Sequence, residues 1–400
     1  MTNKLYLDNP YVREIDSRIV DKTYKDGKYY IKLNRTIFYP HLSGGQPGDK
    51  GTINGVEVLE VYEENSDIIH VVKDNIQSDK VTLSIDWENR LDNMQQHTGQ
   101  HLLSAAFYKL YNGETIGFHL GRDYVYIDVT LPDFSEDEMD KIEIYTNRII
   151  SSNFEIKSYY VEKNEVNKIP VRKQPTVDLN IRIVEIDNID FSPCAGTHLR
   201  NTGEIGIIKI RRWEKYKGNI RIEFVCGNRA LFDYRWKNKY IKEIGVLLSS
   251  KDTDVLDKVH TLFNQKEELE KENRSIKAEL VRYEGEELFR NAIKIKTTPL
   301  VYKLFDDKEL KEISSLASYL NNNYNLVQMY GSRHENIGQF FISVSKQLNI
   351  NLKNIFKDIS EEFDLKGGGT PETVQGKCSI ENLEVLLNRF SEKIKKEIDL

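Results

Sequence analysis

The sequence predicts an α+β chain of several domains. Three observations carry this: short alternating apolar runs over roughly the first 85 residues, a helix-period segment followed by mixed strands and helices to about residue 232, and a stretch nearly free of Gly and Pro that gives way to alternating α and β patterns. The 400 residues suffice for two or three domains, and 39% apolar with 30% charged residues supports an ordinary globular core. The N-terminal MTNKLYLDNPYVREID lacks a basic segment followed by an apolar one, and no apolar run reaches the roughly 18 residues of a membrane span, so neither a signal peptide nor a membrane association is expected. Three cysteines, an odd and sparse number, argue against a disulfide framework and for a reducing, cytoplasmic location.

Residues 1–86 read as a small β domain. The runs KYYIKL, VEVLEVY, IIHVV and KVTLSID are separated by Gly, Asp and Asn turns, and among them lies TIFYPHLSGGQPGDKG, a dense Gly/Pro loop flanked by aromatic residues. Residues 87–232 change period. NRLDNMQQHTGQHLLSAAFYKLYNG places Met94, His97, His101, Leu102, Ala105 and Leu110 at helical spacing and stops at Asn112-Gly113. DYVYIDVTL alternates as a strand, and Ser135 followed by acidic residues starts a second helix. IRIVEI is a strand, and GIIKIRRW and NIRIEFVCG form a hairpin turning at Lys217-Gly218-Asn219. Residues 233–292 form a connector, a long helix or helical hairpin. Leu269, Ile276, Leu280, Tyr283 and Glu287 fall near heptad spacing amid Glu and Lys, which suits a short coiled coil or a helix packed on a neighbouring domain equally well. Residues 293–400 return to alternating α and β, with KELKEISSLASYLNNN an amphipathic helix and KGGGTPETVQGK a second Gly-rich loop.

The net charge of −6 argues against a broad affinity for DNA or RNA. Locally the balance reverses: IIKIRRWEKYKGNIRIEF carries Lys209, Arg211, Arg212, Lys215, Lys217 and Arg221 against only Glu214 and Glu223, and RWKNKYIK follows. A basic island on an acidic chain suits one specific phosphate-bearing partner, while a solvated hairpin and helix face is the plainer alternative.

The strongest chemical signal is the pair HTGQH and CAGTH. His97 and His101 are i and i+4 on a helix, which puts their Cβ atoms about 5–6 Å apart on one face, within reach of one metal ion. Cys194 and His198 repeat that spacing far along the chain. Each pair alone is more often ordinary surface or core. Together, three imidazoles and a thiolate suit Zn²⁺, and because four protein ligands close a tetrahedral shell, a purely structural ion stands beside a catalytic one.

HTGQHLLSAAFYKL, TIGFHLG, CAGTHLRNTGEIGIIKI and GNIRIEFVCGNRAL, in that order, resemble the editing domain of alanyl-tRNA synthetase and its free-standing AlaX relatives. TIFYPHLSGGQPGDKG resembles the Gly-rich motif of the small β-barrel ahead of that domain; GSRHENIGQFFISVS and KGGGTPETVQGK resemble the terminal DHH-associated domain. The resemblance implies a multidomain α+β fold: an N-terminal β-barrel (1–86), a two-layer α/β editing domain of the kind shared by threonyl- and alanyl-tRNA synthetases (87–232), a helical connector (233–292) and a C-terminal α/β domain (293–400). It implies zinc on His97, His101, Cys194 and His198, with Gly99 standing where Ala is usual and Ala195 where Gly is usual. Gly99 inside a helix is expected to cost about 1 kcal/mol relative to Ala.

The activity implied is hydrolysis in trans of alanine tRNA mischarged with serine, glycine or both. No ATP-dependent activation domain precedes the β domain, so tRNA charging is not expected. Gln100 and Thr197, beside two of the histidines, are candidate catalytic contacts, with helix or turn packing as the alternative. Gly44, Gly45 and Gln46, with Gly48, are candidates for a loop over the site or the tRNA acceptor end, a plain β-turn being the alternative. Arg211, Arg212, Lys215 and Arg221, and Gly367, Gly368 and Gly369, are further candidate tRNA contacts. The connector and terminal domain are candidates for a homodimer contact; DNA is not an expected partner. Two rivals remain: a DHH phosphoesterase, against which no Asp-His-His triplet occurs in the chain, and a zinc-stabilised tRNA-binding protein without activity.

Overall fold

The computed structural model describes residues 1–400 apart from Leu42, Arg122, Asp123, Thr176, Asp178, Asp307, Glu335, Asn336, Asp364 and Leu400. The chain divides into two compact units, Met1–Val246 and Leu247–Leu400, so it is a multidomain α+β protein.

In the first unit, six strands close a small barrel in the order Glu14–Lys25, Lys28–Leu33, Asp67–Val72, Val56–Glu64, Gly51–Ile53 and Lys80–Ile85. Alternation puts Ile31, Leu33, Ile68, Val72, Val81 and Leu83 inside, where they pack on Phe38 and Tyr39. At the end of the last strand, Asp86 accepts a hydrogen bond from the Asn89 amide and starts the helix Trp87–Tyr111. Asn112 in the left-handed conformation ends it. This helix is buried from Asn93 to Phe107. Its apolar side chains Met94, Leu102, Leu103, Ala106 and Phe107 share a core with Ile127, Val129, Ile222 and Phe224 of a four-stranded sheet and with Ile142 and Ile149 of the helix Glu136–Ser151. Ser135 and Glu138 cap that second helix with a reciprocal capping box.

The four-stranded sheet is antiparallel, in the order Ile208–Tyr216, Asn219–Cys226, Val125–Val129 and Thr115–Leu120. Lys217 and Gly218, at φ 50° and 78°, form the two-residue turn of its first hairpin. A three-stranded sheet, Ile156–Val161, Ile181–Ile186 and Asp190–Pro193, delivers the chain to Cys194. The helix Gly227–Leu247 follows.

In the second unit a short 3-10 helix at Asp252–Asp254 leads into the helix Val255–Arg290. Leu269, Ile276, Leu280 and Tyr283 on this helix are 50–64% exposed. A six-stranded sheet follows, in the order Ile293–Ile295, Thr298–Asp306, Val327–His334, Ile337–Val344, Thr373–Ser379 and Lys366–Gly369, with Thr298–Asp306 and Val327–His334 parallel. Its two faces carry separate cores: Met329, Phe340 and Ile342 pack with Ile355 and Phe390, while Val301, Tyr330 and Phe341 pack with Ile313, Leu316 and Leu320. Lys366–Gly369 of KGGGTPETVQGK, read from sequence as a loop, is instead an edge strand. Close approach to the neighbouring strand calls for glycine there: a Cβ on Gly367 would lie 2.3 Å from the Gln375 carbonyl oxygen, and one on Gly369 1.9 Å from that of Thr373. Among the described residues no helix is long and apolar enough to cross a membrane.

Candidate metal centre

His97 and His101 lie one turn apart on the buried helix, with ring centroids 5.2 Å apart. The segment after the strand Asp190–Pro193 brings Cys194 and His198 onto them: His198 lies 4.4 Å from His97 and 4.8 Å from His101, centroid to centroid. Cys194 Sγ is 3.4 Å from His97 Nε2 and 3.3 Å from His198 Nε2. One ligand atom from each of the four residues falls within 4.8 Å of every other, the arrangement of a group that could hold a metal ion.

Each imidazole is oriented by a partner on its outer nitrogen. His97 Nδ1 meets Gln46 Oε1 at 2.9 Å, His101 Nδ1 meets Asp190 Oδ2 at 3.2 Å, and His198 Nδ1 meets Thr98 Oγ1 at 3.3 Å. The outer nitrogens are thereby occupied and the inner ones converge, the pattern that prepares histidines as ligands. Asp190 is itself fixed by Arg172 and by Ser192, whose hydroxyl donates at 2.9 Å. Burial works to raise Asp190, but His101 and Arg172 outweigh it and hold its carboxyl near 2. Burial likewise works to raise the Cys194 thiol, yet the neighbouring imidazoles hold it well below its ordinary value. The thiolate, which is the ligating form, is the favoured one.

His97, His101 and Cys194 line a cavity of about 890 Å³, with Gln100, Thr115, Phe118 and Arg172 among its other walls. Gln100 donates to Ser104 Oγ at 2.9 Å, which also accepts from Thr115 Oγ1 at 2.7 Å. Gly44 and Gly45 reach the same cavity. Thr197 is fully buried and bonded to Gln46 through both its amide and its hydroxyl. Gly99 is explained by packing: a Cβ there would lie 2.2 Å from Cys226 Sγ.

Lys209, Arg211, Arg212, Lys215 and Arg221 of the basic hairpin are not among the residues lining that cavity, and the fold neutralises much of their charge. Arg211 and Arg212 pair with Glu223 at 2.9 and 2.8 Å, Lys215 with Asp133 at 3.1 Å, and Lys209 with Glu143 at 2.7 Å. Arg221 is bidentate on Asp128 at 2.7 and 2.8 Å and lies 3.8 Å from the rings of both Tyr126 and Tyr216. Gly367–Gly369 belong to the other compact unit. Sequence reasoning missed Asp190, Thr98 and Arg172. No spacing ties them to the ligands, because their partners lie up to a hundred positions away.

Residues 181–223 match the family model described as the threonyl and alanyl tRNA synthetase second additional domain. The chain is 31% identical to the alanyl-tRNA editing protein AlaX-L of Pyrococcus horikoshii, covering 96% of each chain. It is 33% identical to the alanyl-tRNA editing protein Aarsd1 of Danio rerio over 68% of this chain and 69% of that one. It is also 27% identical to the alanine–tRNA ligase of Pyrococcus abyssi, with 94% of this chain matching 42% of the ligase. With 96% of both chains covered at that identity, the chain belongs to the family of alanyl-tRNA editing proteins of the AlaX-L kind.

Proposed function

We propose that this chain is a trans-editing aminoacyl-tRNA hydrolase that removes serine, glycine or both from mischarged alanine tRNA, with Zn²⁺ at the cluster, no tRNA-charging activity and a cytoplasmic location. The observation that carries the reading is the convergence of His97, His101, Cys194 and His198, the first three of them on the wall of a substrate-sized cavity, in a chain of this family. Ligand sites commonly span about 300–1,000 Å³.

The cluster fits zinc by chemistry and by size. Imidazole and thiolate are preferred zinc ligands, and Zn–N of about 2.0–2.1 Å with Zn–S of about 2.3 Å makes the S···N edge of a tetrahedron about 3.5 Å. The two Sγ–Nε2 separations, 3.4 and 3.3 Å, are close to that edge. Held by these four side chains, the ion would supply positive charge that helps position the substrate. Gln100, on the cavity wall beside His101, supplies a polar contact to the substrate. In the reaction, water attacks the ester carbon, the bond to the ribose oxygen breaks, and that oxygen takes up a proton. The biological need follows from energetics: a pocket built for alanine distinguishes one small group by only about 1–3 kcal/mol, so a second site that destroys the wrong ester is required.

In the same reading the barrel and editing regions (1–86 and 87–232) act on the acceptor end. Residues 293–400 contact the tRNA through Gly367–Gly369, and the connector (233–292) joins that domain in a homodimer. The exposed apolar row on Val255–Arg290 is consistent with the last point. The test is deacylation of Ser-tRNA(Ala), Gly-tRNA(Ala) and Ala-tRNA(Ala), with and without a zinc chelator. Chelator-sensitive release of serine or glycine but not alanine is expected. Release no faster than the spontaneous rate, with tRNA still bound, refutes the enzyme and leaves a binding protein.

A further inference from the structure

We propose that Gln46 is a positioning residue of the metal site: its carboxamide selects the tautomer of His97 and so ties the barrel's Gly-rich loop to metal affinity. This rests on the metal-site reading above.

A neutral imidazole carries one N–H, and only the other nitrogen can ligate. Which one ligates is decided by the partner of the first. Gln46 is fully buried and both ends of its carboxamide are engaged. Its Nε2 donates to Thr197 Oγ1 at 2.8 Å; its Oε1 accepts from the Thr197 amide at 3.2 Å and faces His97 Nδ1 at 2.9 Å. The Thr197 amide can only donate, so it determines which end of the carboxamide is oxygen. An oxygen facing His97 requires the proton on Nδ1 and leaves the lone pair on Nε2, the atom 3.4 Å from Cys194 Sγ.

The neighbouring glycines serve this seat. A Cβ on Gly196 would lie 2.1 Å from His97 Cε1, 2.4 Å from Nδ1 and 3.3 Å from Gln46 Oε1. Gly44 and Gly45, at φ +62° and +77°, turn the loop so that Gln46 reaches inward. A Cβ on Gly44 would lie 3.3 Å from the Gly196 nitrogen, and one on Gly45 2.5 Å from the Phe118 ring. The loop is therefore pressed against the ligand segment. Of the three histidines, His101 is backed by a carboxylate and His198 by a hydroxyl; His97 alone depends on a residue of the barrel loop.

The experiment measures Zn(II) affinity of the full chain by chelator competition, together with ¹⁵N assignment of the His97 ring in the metal-free protein. Gln46→Ala is expected to weaken Zn(II) binding 10–100-fold and to release His97 from the Nδ1–H form. Gln46→Glu keeps the acceptor and is expected to stay within about threefold of the unmodified chain, the rescue that a purely space-filling role does not predict. Thr197→Val removes the hydroxyl end of the clamp, keeps the acceptor for His97, and is expected to retain affinity. Where Gln46→Ala fails to fold, the other two variants decide. Gln46→Glu or Thr197→Val binding as weakly as that 10–100-fold loss overturns the proposal, as does unchanged affinity in a folded Gln46→Ala. If the unmodified chain binds no Zn(II), the metal reading itself fails. The ring tautomer then still tests Gln46: Nδ1–H in the unmodified chain and loss of it in Gln46→Ala supports the assignment, and an unaltered tautomer overturns it.

Discussion

Replacing Asp49 by Ala removes the counter-charge of a guanidinium that has no access to water. The side chains of Arg90 and Asp49 are both 0% exposed. Arg90 Nε donates to Asp49 Oδ1 at 2.9 Å, and Nη2 pairs with Oδ2. The remaining donors go to the carbonyls of Pro10 at 2.7 Å and Ile37 at 2.6 Å. Asp49 Oδ2 also accepts the Tyr39 amide at 2.6 Å. In Asp49→Ala the guanidinium keeps two neutral carbonyls but loses its anion, and the Tyr39 amide loses its acceptor. Breaking such a buried pair costs about 3–5 kcal/mol, most of it the penalty of the stranded charge. Asp49→Asn keeps the shape and one acceptor, so its loss should be smaller. The assay is urea unfolding followed by tryptophan fluorescence. Trp87, Trp213 and Trp236 all lie within Met1–Val246, so the signal reports that unit. With a urea slope near about 3 kcal/mol/M, the midpoint should fall by more than about 1 M. A shift worth less than about 1 kcal/mol would refute the claim that this pair anchors the barrel loop to the helix Trp87–Tyr111.

Three further outcomes are expected. Cys194→Ala should lose zinc and ester hydrolysis together; full activity in a zinc-free Cys194→Ala protein refutes the catalytic role of the cluster. Gly99→Ala, which in an open helix would stabilise, should here destabilise by about 1–3 kcal/mol through overpacking on Cys226, and Cys226→Ala should relieve it; no relief in the double variant, seen by thermal unfolding, refutes the contact. His70 sits fully buried in the barrel between Thr36 Oγ1 at 2.8 Å and the Ile31 carbonyl at 3.2 Å, and burial lowers its pKa from 6.5 to about 4. Its folded-state value lies below the unfolded one, so its contribution is complete above pH 6.5 and is lost as pH falls toward 4. At 1.36 kcal/mol per unit the loss is about 3 kcal/mol, and His70→Asn should abolish that part of the acid dependence in unfolding titrations; an unchanged acid limb counts against it.

Much of the fold and the spacing of the His/Cys cluster was legible because it depends on neighbours in the chain. The i, i+4 spacing of His97 and His101, the Ser135–Glu138 capping box and the Lys217–Gly218 turn are local geometry, and the structure holds each of them. The Gly-rich loop was legible as a feature and not as a mechanism. The spacing of SGGQ does not state that Gln46 will meet His97, 51 positions on, or Thr197, 151 positions on.

By itself, then, the sequence determined the periodicities, caps and turns, and the four residue types that suit a metal, since these are set by backbone geometry within a few residues. The tertiary structure alone decided what surrounds them. It set Asp190 behind His101, required Gly99 for the bulk of Cys226, enclosed Arg221 between two tyrosines, and turned the KGGG segment into an edge strand. Those outcomes follow from how separately formed elements pack, where a contact distance of a few tenths of an ångström decides which side chain fits, and no local pattern encodes that distance.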